Sequence, residues 1–538
     1  MMEDSTGAVA SAAKASAIEI CRLPGTAFDE RRGSVLAGLD SALAAASPRL
    51  TPPSTPWTSI AIHGAVAGLW LALFARAFGT HTVFAWSAGL VYIVYDTALI
   101  AFVFVQTLAL VRENHGADPT GVVDGSGLHD LAPALEADPA PAALTLGVIV
   151  AARNEARGLP ATLHALLTQA EPAHLIIIAD DGSTDATAAI LERDFGLRTP
   201  ARGGLSAPSL RYPALRWLRL PHGGKARALN AAIAAVETDL VMTVDGDTLL
   251  APGAAGAMRK AFAADGALVA ATGVLTPVCG STLSGRFFQW FQTYEYIRNF
   301  LSRYAWARLD SLLLISGAFA GFRRAPVLTV GGFDPVCMVE DYELIHRLRR
   351  YGALHRLGWT TGVVGAARAV TEAPGGAQAF LSQRRRWFGG FLETQYWYRD
   401  MVGNPRFGRV GLLMLPVKAL DALQPIYGLT AFALLLFYLA TAHFSLIAPV
   451  GAVIFAKIIV DFSFHIWSVH LYRRWVDPDA AARPSRAVLA SLAEPFTFQV
   501  LRHTGALLGW IAFLTGKRRW GRSRQAIETA REAADEEI

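Results

Sequence analysis

The chain has 538 residues, 53% of them hydrophobic, and a mean hydropathy of +0.33, which is too long for one ordinary domain and too apolar for an ordinary soluble protein. Its formal charge of +5 is carried by dispersed basic residues or by ones beside apolar runs; that suits a cytoplasmic membrane face and excludes the dense basic patch of a nucleic-acid binder. Cys21, Cys279 and Cys337 are far apart, with no CxxC pair and no histidine at ligand spacing, which indicates neither a disulfide framework nor a zinc site and places the central region in a reducing compartment.

Residues 1–56 are rich in Ala, Ser and Pro, carry both signs of charge and lack the layout of a signal peptide, so they read as a disordered cytosolic tail. Apolar runs then extend from Trp57 to Phe78, broken by Arg76, and from Val83 to Val111, broken by Asp96. Each reaches the roughly 20 residues that a hydrocarbon core of about 30 Å requires. The link Gly79-Thr80-His81-Thr82 is short, so residues 57–111 are expected to form a transmembrane hairpin that returns the chain to the cytosol. Residues 112–143, rich in Gly, Pro and Asp, read as a linker.

From Leu144 short apolar runs alternate with amphipathic ones, the pattern of a parallel α/β sheet. The expected strands are 145–151, 174–179, 215–218, 240–244 and 268–274, with helices at about 159–169, 186–194, 225–236 and 252–263. Residues 144–400 therefore read as a nucleotide-binding domain, with an interfacial helix, inserted between membrane segments.

The chain turns apolar again through Gly411 to Phe444, Leu446 to Val469 and Val488 to Leu514, runs that contain Lys418, Asp421, Lys457, Asp461, His465, Glu494 and Arg502. Such groups are costly in lipid and face a protein interior or an aqueous path. Three simple crossings over 401–516 would leave Lys517, Arg518, Arg519, Arg522 and Arg524 of the tail 517–538 outside, against the positive-inside tendency. Either one run is interfacial or re-entrant, or the first divides into two elements.

The candidate chemistry sits at the ends of the apolar runs. Gly147-Val-Ile-Val-Ala-Ala ends in Arg153-Asn154-Glu155, and ligands gather at the carboxyl ends of parallel strands. Asp180-Asp181-Gly182-Ser183-Thr184-Asp185 ends the next run; a carboxylate there can accept from a base N–H or ribose hydroxyls, although an Asx turn with a helix cap satisfies the same residues. Asp245-Gly246-Asp247 places two carboxylates around a glycine, a hard oxygen pair for Mg²⁺ or Mn²⁺ on a diphosphate, or else a plain strand-end turn.

Gly223-Gly224-Lys225 opens a helix without the flanking residues of a Walker loop, and suits either an anion or a solvated helix start. Glu340-Asp341 precedes an amphipathic helix, as a general base or as a cap that complements the helix dipole. Gln383-Arg384-Arg385-Arg386-Trp387 offers a guanidinium for phosphate and an aromatic face for a sugar, or a basic helix on a membrane surface, a role suited to Arg384 and Arg385.

In this order, over residues 147–387, the motifs resemble the membrane-embedded, processive branch of glycosyltransferase family two, which includes cellulose, chitin, hyaluronan and poly-N-acetylglucosamine synthases. QxxRW, here Gln383, Arg386 and Trp387, is the most specific of them. The resemblance implies a GT-A-type α/β nucleotide-sugar-binding domain inserted between transmembrane helices of a multi-pass protein in the plasma (inner) membrane, with the catalytic domain in the cytoplasm. It implies that Glu155, Asp180, Asp181 and Lys225 bind the uridine diphosphate moiety, that Asp245 and Asp247 bind nucleotide and metal, that Asp341 is the base, and that Arg386 holds the pyrophosphate. Trp387 would lie under the acceptor sugar, with Gln383, Ser316-Gly317-Ala318 and Gly331-Gly332-Phe333-Asp334 shaping the acceptor pocket. Arg153 stands where the family commonly has an aromatic residue, and Trp520-Gly521-Arg522 only partly matches a feature of hyaluronan-type enzymes; both departures bear on the identity of the sugar.

The expected reaction is an inverting transfer from a UDP-sugar, with Mg²⁺ or Mn²⁺, to a growing β-linked polysaccharide, coupled to export. A single transfer to a lipid, giving a glycolipid, is the second reading. A non-enzymatic, nucleotide-binding transporter or scaffold is the third, and it leaves the coincidence of Asp245, Asp247, Asp341 and Arg386 without a purpose.

Overall fold

A computed structural model of the chain describes residues 25–77, 83–112, 144–441, 444–477, 482 and 484–516. Cys21, the expected linker from 113 onward, Trp520-Gly521-Arg522 and the basic tail lie outside the described residues.

The long helices that precede the sheet are α1 (Gly25–Ala46), α2 (Trp57–Arg76) and α3 (Ser87–Thr107). Eight strands follow: β1 (Leu146–Ala152), β2 (Leu175–Asp180), β3 (Leu215–Arg219), β4 (Leu240–Asp245), β5 (Thr248–Leu250), β6 (Leu268–Val278), β7 (Phe319–Arg323) and β8 (Thr360–Glu372). Helices α4 (Leu159–Leu167), α5 (Thr187–Arg193), α6 (Lys225–Ala235), α7 (Ala254–Ala264), α8 (Leu283–Arg308), α9 (Glu340–Leu354) and α10 (Ala377–Trp397) lie among and after them. The chain continues through α11 (Leu415–Ala440), α12 (Phe444–Trp475), α13 (Pro484–Ala493) and α14 (Phe498–Thr515).

All eight strands join one mixed sheet in the order β3-β2-β1-β4-β7-β6-β8-β5. β1 runs parallel to β2 and to β4, with Ala152 opposite Asp180 and Ala151 opposite Asp245. This register brings the carboxyl ends of three strands, and so three polar motifs, to one edge, at the point where the strand order reverses. β1, β2 and β4 are apolar along their length because both faces are covered. Ile149 and Ile177 pack toward α6, whereas Val148, Val150, Ile176 and Ile178 pack toward Leu163 of α4 and Phe262 of α7. β7 enters antiparallel between β4 and β6 and makes the sheet mixed, as in a GT-A domain.

Three features differ from the sequence expectation. The segment read as a disordered tail is helical over Gly25–Ala46, with Leu39, Leu43 and Ala46 buried; its Ala and Ser residues are small enough to let the helix lie close against the domain. α8, β7 and β8 were not expected, and α8 supplies the long floor between the sheet and the membrane helices. The last apolar run breaks at Glu494–Phe496, and α14 then lies along α10, so close that a Cβ on Gly509 would be 2.9 Å from the backbone nitrogen of Gly389.

Among the described residues four helices are long and apolar enough to cross a membrane: Trp57–Arg76, Phe84–Val111, Val410–Ala440 and Ile447–Trp475. Two precede the sheet domain and two follow it. Their ionisable groups are paired, as burial in an apolar medium demands: Lys457 bonds Asp461 and lies 2.7 Å from Asp96, and Lys418 lies 2.7 Å from Asp421.

Candidate active site

The loop after β1 is stitched to the loop after β2. Asn154, in the left-handed region at φ 55°, donates its N–H to Ser183 Oγ at 3.0 Å and accepts from the Thr184 N–H at 2.8 Å. Asp180 is buried; it accepts from the Ser183 N–H at 2.8 Å and from the Trp217 indole at 3.2 Å. Asp181, also buried, accepts from the Gly223 and Gly224 N–H groups at 2.7 and 3.0 Å and meets His222 Nδ1 at 2.8 Å. The Asx turn anticipated as an alternative is therefore present, and Asp181 does more than cap a turn, because it fixes the glycine loop that opens α6.

That loop aims Lys225 across the edge of the sheet. Its ammonium pairs with Asp245 and lies 3.9 Å from Glu340 Oε1. Burial opposes the charge on Lys225, but the Asp245 and Glu340 carboxylates outweigh it and hold the pKa above the ordinary lysine value. Burial raises the Glu340 pKa above the usual carboxylate range, Asp341 adds to the rise, and Lys225 and Arg386 oppose it. Arg386, exposed on α10, is thereby within electrostatic reach of the same cluster. Glu155 completes the near wall; a Cβ on Gly246 would stand 3.0 Å from its Cγ.

Asp341 begins α9 with its carboxylate held from two sides. Oδ2 accepts from the Gly317 N–H at 2.6 Å and Oδ1 from the Tyr342 N–H at 2.8 Å. Gly317, read from sequence with Ser316 as an acceptor-pocket residue, thus contacts the candidate base directly. Glu340, quoted in its motif but given no separate role from sequence, forms the third member of the Lys225 cluster.

On α10 the three arginines part company. Arg385 and Arg386 are exposed, but Arg384 turns inward and does not face a membrane surface. It makes a two-pronged bond to Glu295 of α8 at 2.9 and 2.6 Å, with its guanidinium 4.6 Å from the Phe380 ring centre and 4.7 Å from that of Trp387. Gln383 Oε1 is buried with no hydrogen-bond partner among the described residues.

Glu295 also forms part of the wall of a cavity of about 290 Å³ between the membrane helices, with Asp96, Arg298, Lys457, Asp461, Glu494 and Arg502 around it. Arg298 there bonds Glu494 at 2.6 and 3.0 Å.

Among the described residues no group of three or more His, Cys, Asp or Glu side chains surrounds a metal position. Mg²⁺ takes only one or two carboxylates when substrate phosphates and water supply the other oxygens, so the Asp245-Gly246-Asp247 turn, with Asp245 facing Lys225, is the candidate place for one.

The family model for glycosyl transferase family 2 matches residues 147–331, and that for glycosyl transferase family group 2 matches residues 240–447. A poly-beta-1,6-N-acetyl-D-glucosamine synthase of Staphylococcus aureus is 26% identical over 281 residues, and one of Staphylococcus epidermidis is 28% identical over 284 residues. Each alignment takes in 52% of this chain and 62% of the relative, so the chain spans less than two thirds of the relatives' length. Among solved structures, a mannosyltransferase from Pyrobaculum calidifontis in complex with GDP-Man and Mn²⁺ aligns with a TM-score of 0.49 at 17% identity, over 80% of this chain and 100% of that one. The two family models together run from β1 to the membrane helices beyond QxxRW, so over residues 147–447 the chain is similar to the family 2 glycosyltransferases.

Proposed function

We propose that the chain is an inverting, processive glycosyltransferase that moves a sugar from a UDP-sugar to the end of a growing β-linked polysaccharide at the membrane. The observation that carries this reading is the convergence of Lys225, Asp245, Glu340 and Asp341 at one edge of the sheet, within electrostatic reach of Arg386. The polymer synthases among the relatives support the choice of a polymer, as does the cavity, lined by apolar and charged side chains, whose wall residue Glu295 also holds Arg384 beneath Trp387.

Glu155, Asp180 and Asp181 form the nucleotide end of the donor site, and Lys225 and Arg386 supply cations for the diphosphate. Asp245 and Asp247 would hold Mg²⁺ or Mn²⁺, whose charge, when bound, offsets the negative charge that builds on the leaving diphosphate. Asp341 takes the proton of an acceptor hydroxyl while that oxygen bonds to the anomeric carbon and the bond from that carbon to the diphosphate breaks. The backbone bonds from Gly317 and Tyr342 fix the direction of its carboxylate and leave a lone pair on each oxygen for the proton. Attack opposite the leaving group converts an α-linked donor into a β-linkage. Trp387 presents its indole to the acceptor sugar, beside Gln383 and Ser316.

If all four apolar helices cross, their even number leaves the catalytic domain and both flanks on one side, and we place that side in the cytoplasm of a multi-pass plasma (inner) membrane protein. Arg473 and Arg474 at the end of α12 agree with the positive-inside tendency.

Labelled UDP-glucose, UDP-N-acetylglucosamine, UDP-glucuronate and UDP-galactose, offered to the purified protein in sealed vesicles, test the reading. A ladder of polymer from one of them is expected. Trp387→Ala is expected to shorten that ladder with UDP affinity near wild type, while Arg386→Ala weakens UDP binding as well. A single lipid-soluble product, with normal first transfer by Trp387→Ala, would replace the polymer reading with the glycolipid one. For the metal pair, Asp247→Ala and chelation of the wild type are expected to weaken Mn²⁺-dependent UDP binding alike; binding insensitive to chelator counts against a metal at this place.

A further inference from the structure

The first described helix lies outside the residues matched by either family model, yet it reaches the loop that leads to Asp341. α1 crosses Gly331 with its backbone so near that a Cβ on that glycine, at φ +87°, would stand 2.2 Å from the Leu43 nitrogen. Immediately beyond α1, Arg49 makes a two-pronged bond to Asp334, Nε to Oδ2 at 2.7 Å and Nη2 to Oδ1 at 3.0 Å. Asp334 is wholly buried, and its Oδ1 also accepts from the Val336 N–H at 2.9 Å. Its carboxylate is thus taken up inside the loop and does not face an acceptor.

The same short segment grips the far end of α10. The Arg49 guanidinium lies 5.8 Å from the Trp397 ring centre, and Arg399 donates to Thr55 Oγ1 at 2.7 Å. Between Asp334 and Asp341, Pro335 and Val336 are exposed, but Val336 N–H is tied back to Asp334 and the next four residues, Cys337, Met338, Val339 and Glu340, are all buried, so that a displacement at Asp334 passes into packed chain. α10 leans on this stretch too, since a Cβ on Gly390 would stand 2.5 Å from Val339 Cγ2.

We infer that residues 25–55 form a strap that sets the base-bearing loop against the Arg386–Trp387 helix, with Arg49 as its positioning residue. A bidentate guanidinium holds both distance and angle, which a point charge does not. The strap helix also packs on α6, which opens with Lys225, and Arg32 donates to the Gly203 carbonyl; Arg49 itself meets Asp334 and the Trp397 ring, so the effect of replacing it falls on the alignment of acceptor and base. The inference rests on the proposed roles of Asp341 and Trp387.

The test uses the full chain in detergent, with UDP affinity measured by calorimetry and turnover by UDP release from the donor that the wild type accepts. Arg49→Ala is expected to keep UDP affinity within about twofold and to lower kcat about tenfold, the scale of a small misalignment. Arg49→Lys, which keeps the charge and stem and is the safer variant to fold, is expected to fall between the two, with UDP affinity unchanged. Turnover within about twofold of wild type in either variant overturns the strap, as does a loss of UDP affinity that matches the loss of kcat, the mark of general loosening. Asp341→Asn in the same assay separates the two ideas: if it remains active the base assignment fails, whereas an inactive Asp341→Asn beside an unimpaired Arg49→Ala removes the strap alone.

Discussion

Asp341→Asn is expected to bind UDP as the wild type does and to transfer sugar roughly 10²–10⁴-fold more slowly. The carboxylate is held by backbone N–H groups on both oxygens, from Gly317 and Tyr342. An asparagine amide keeps one acceptor and presents a donor where the other N–H now points, so the side chain keeps its volume while losing its basicity and one of its two tethers. The donor site is spared because Lys225 pairs with Asp245 and Glu340, not with Asp341, at bonding distance. Glu340→Gln is the informative companion: it removes one of the two carboxylates facing Lys225 and is expected to act on UDP affinity more than on the chemical step. An Asn variant that turns over within about tenfold of the wild type would end the assignment of Asp341 as the base.

The legible parts of the fold were those with one dominant physical signal. Val148-Ile149-Val150 and Ile176-Ile177-Ile178 are continuous β-branched or apolar runs because their strands are covered on both faces, and each stops at a charge where the sheet meets its crevice. β7, Phe-Ala-Gly-Phe-Arg, and β8, which opens Thr-Thr-Gly-Val-Val-Gly, are diluted by glycine and alanine, so their place in the sheet comes from neighbours and not from local preference. α8 carries Phe, Tyr and Trp around most of its circumference because it packs on the sheet and on membrane helices at once, and it therefore shows no single apolar stripe.

The site followed the same division. The motifs were visible as strand-end and helix-start residues, but the pairing of Lys225 with both Asp245 and Glu340 depends on how distant loops meet. Arg384, Arg385 and Arg386 look alike in the sequence, yet successive helical residues point about 100° apart, so three adjacent arginines cannot share one environment.

Glu295→Ala is expected to produce the largest loss of stability of any single change near the site. Its carboxylate receives both prongs of Arg384 and faces Arg502 at 3.8 Å, and all three groups sit between α8, α10 and α14. Without it the Arg384 guanidinium stays buried against Phe380 and Trp387 with its charge uncompensated, a cost of about 3–5 kcal/mol where one partner of a buried pair is removed. That is a large share of the roughly 5–15 kcal/mol by which a folded protein is stable. The double variant Glu295→Leu with Arg384→Met removes both charges and keeps apolar volume, and is expected to regain most of the thermal stability in detergent. It should not regain chain extension, because the guanidinium that steadies the Trp387 ring from below is gone. A double variant as unstable as Glu295→Ala would mean that the pair is not the source of the stability. One that extends polymer like the wild type would cut the link between the acceptor platform and the membrane cavity, leaving Trp387 to be oriented by its packing alone.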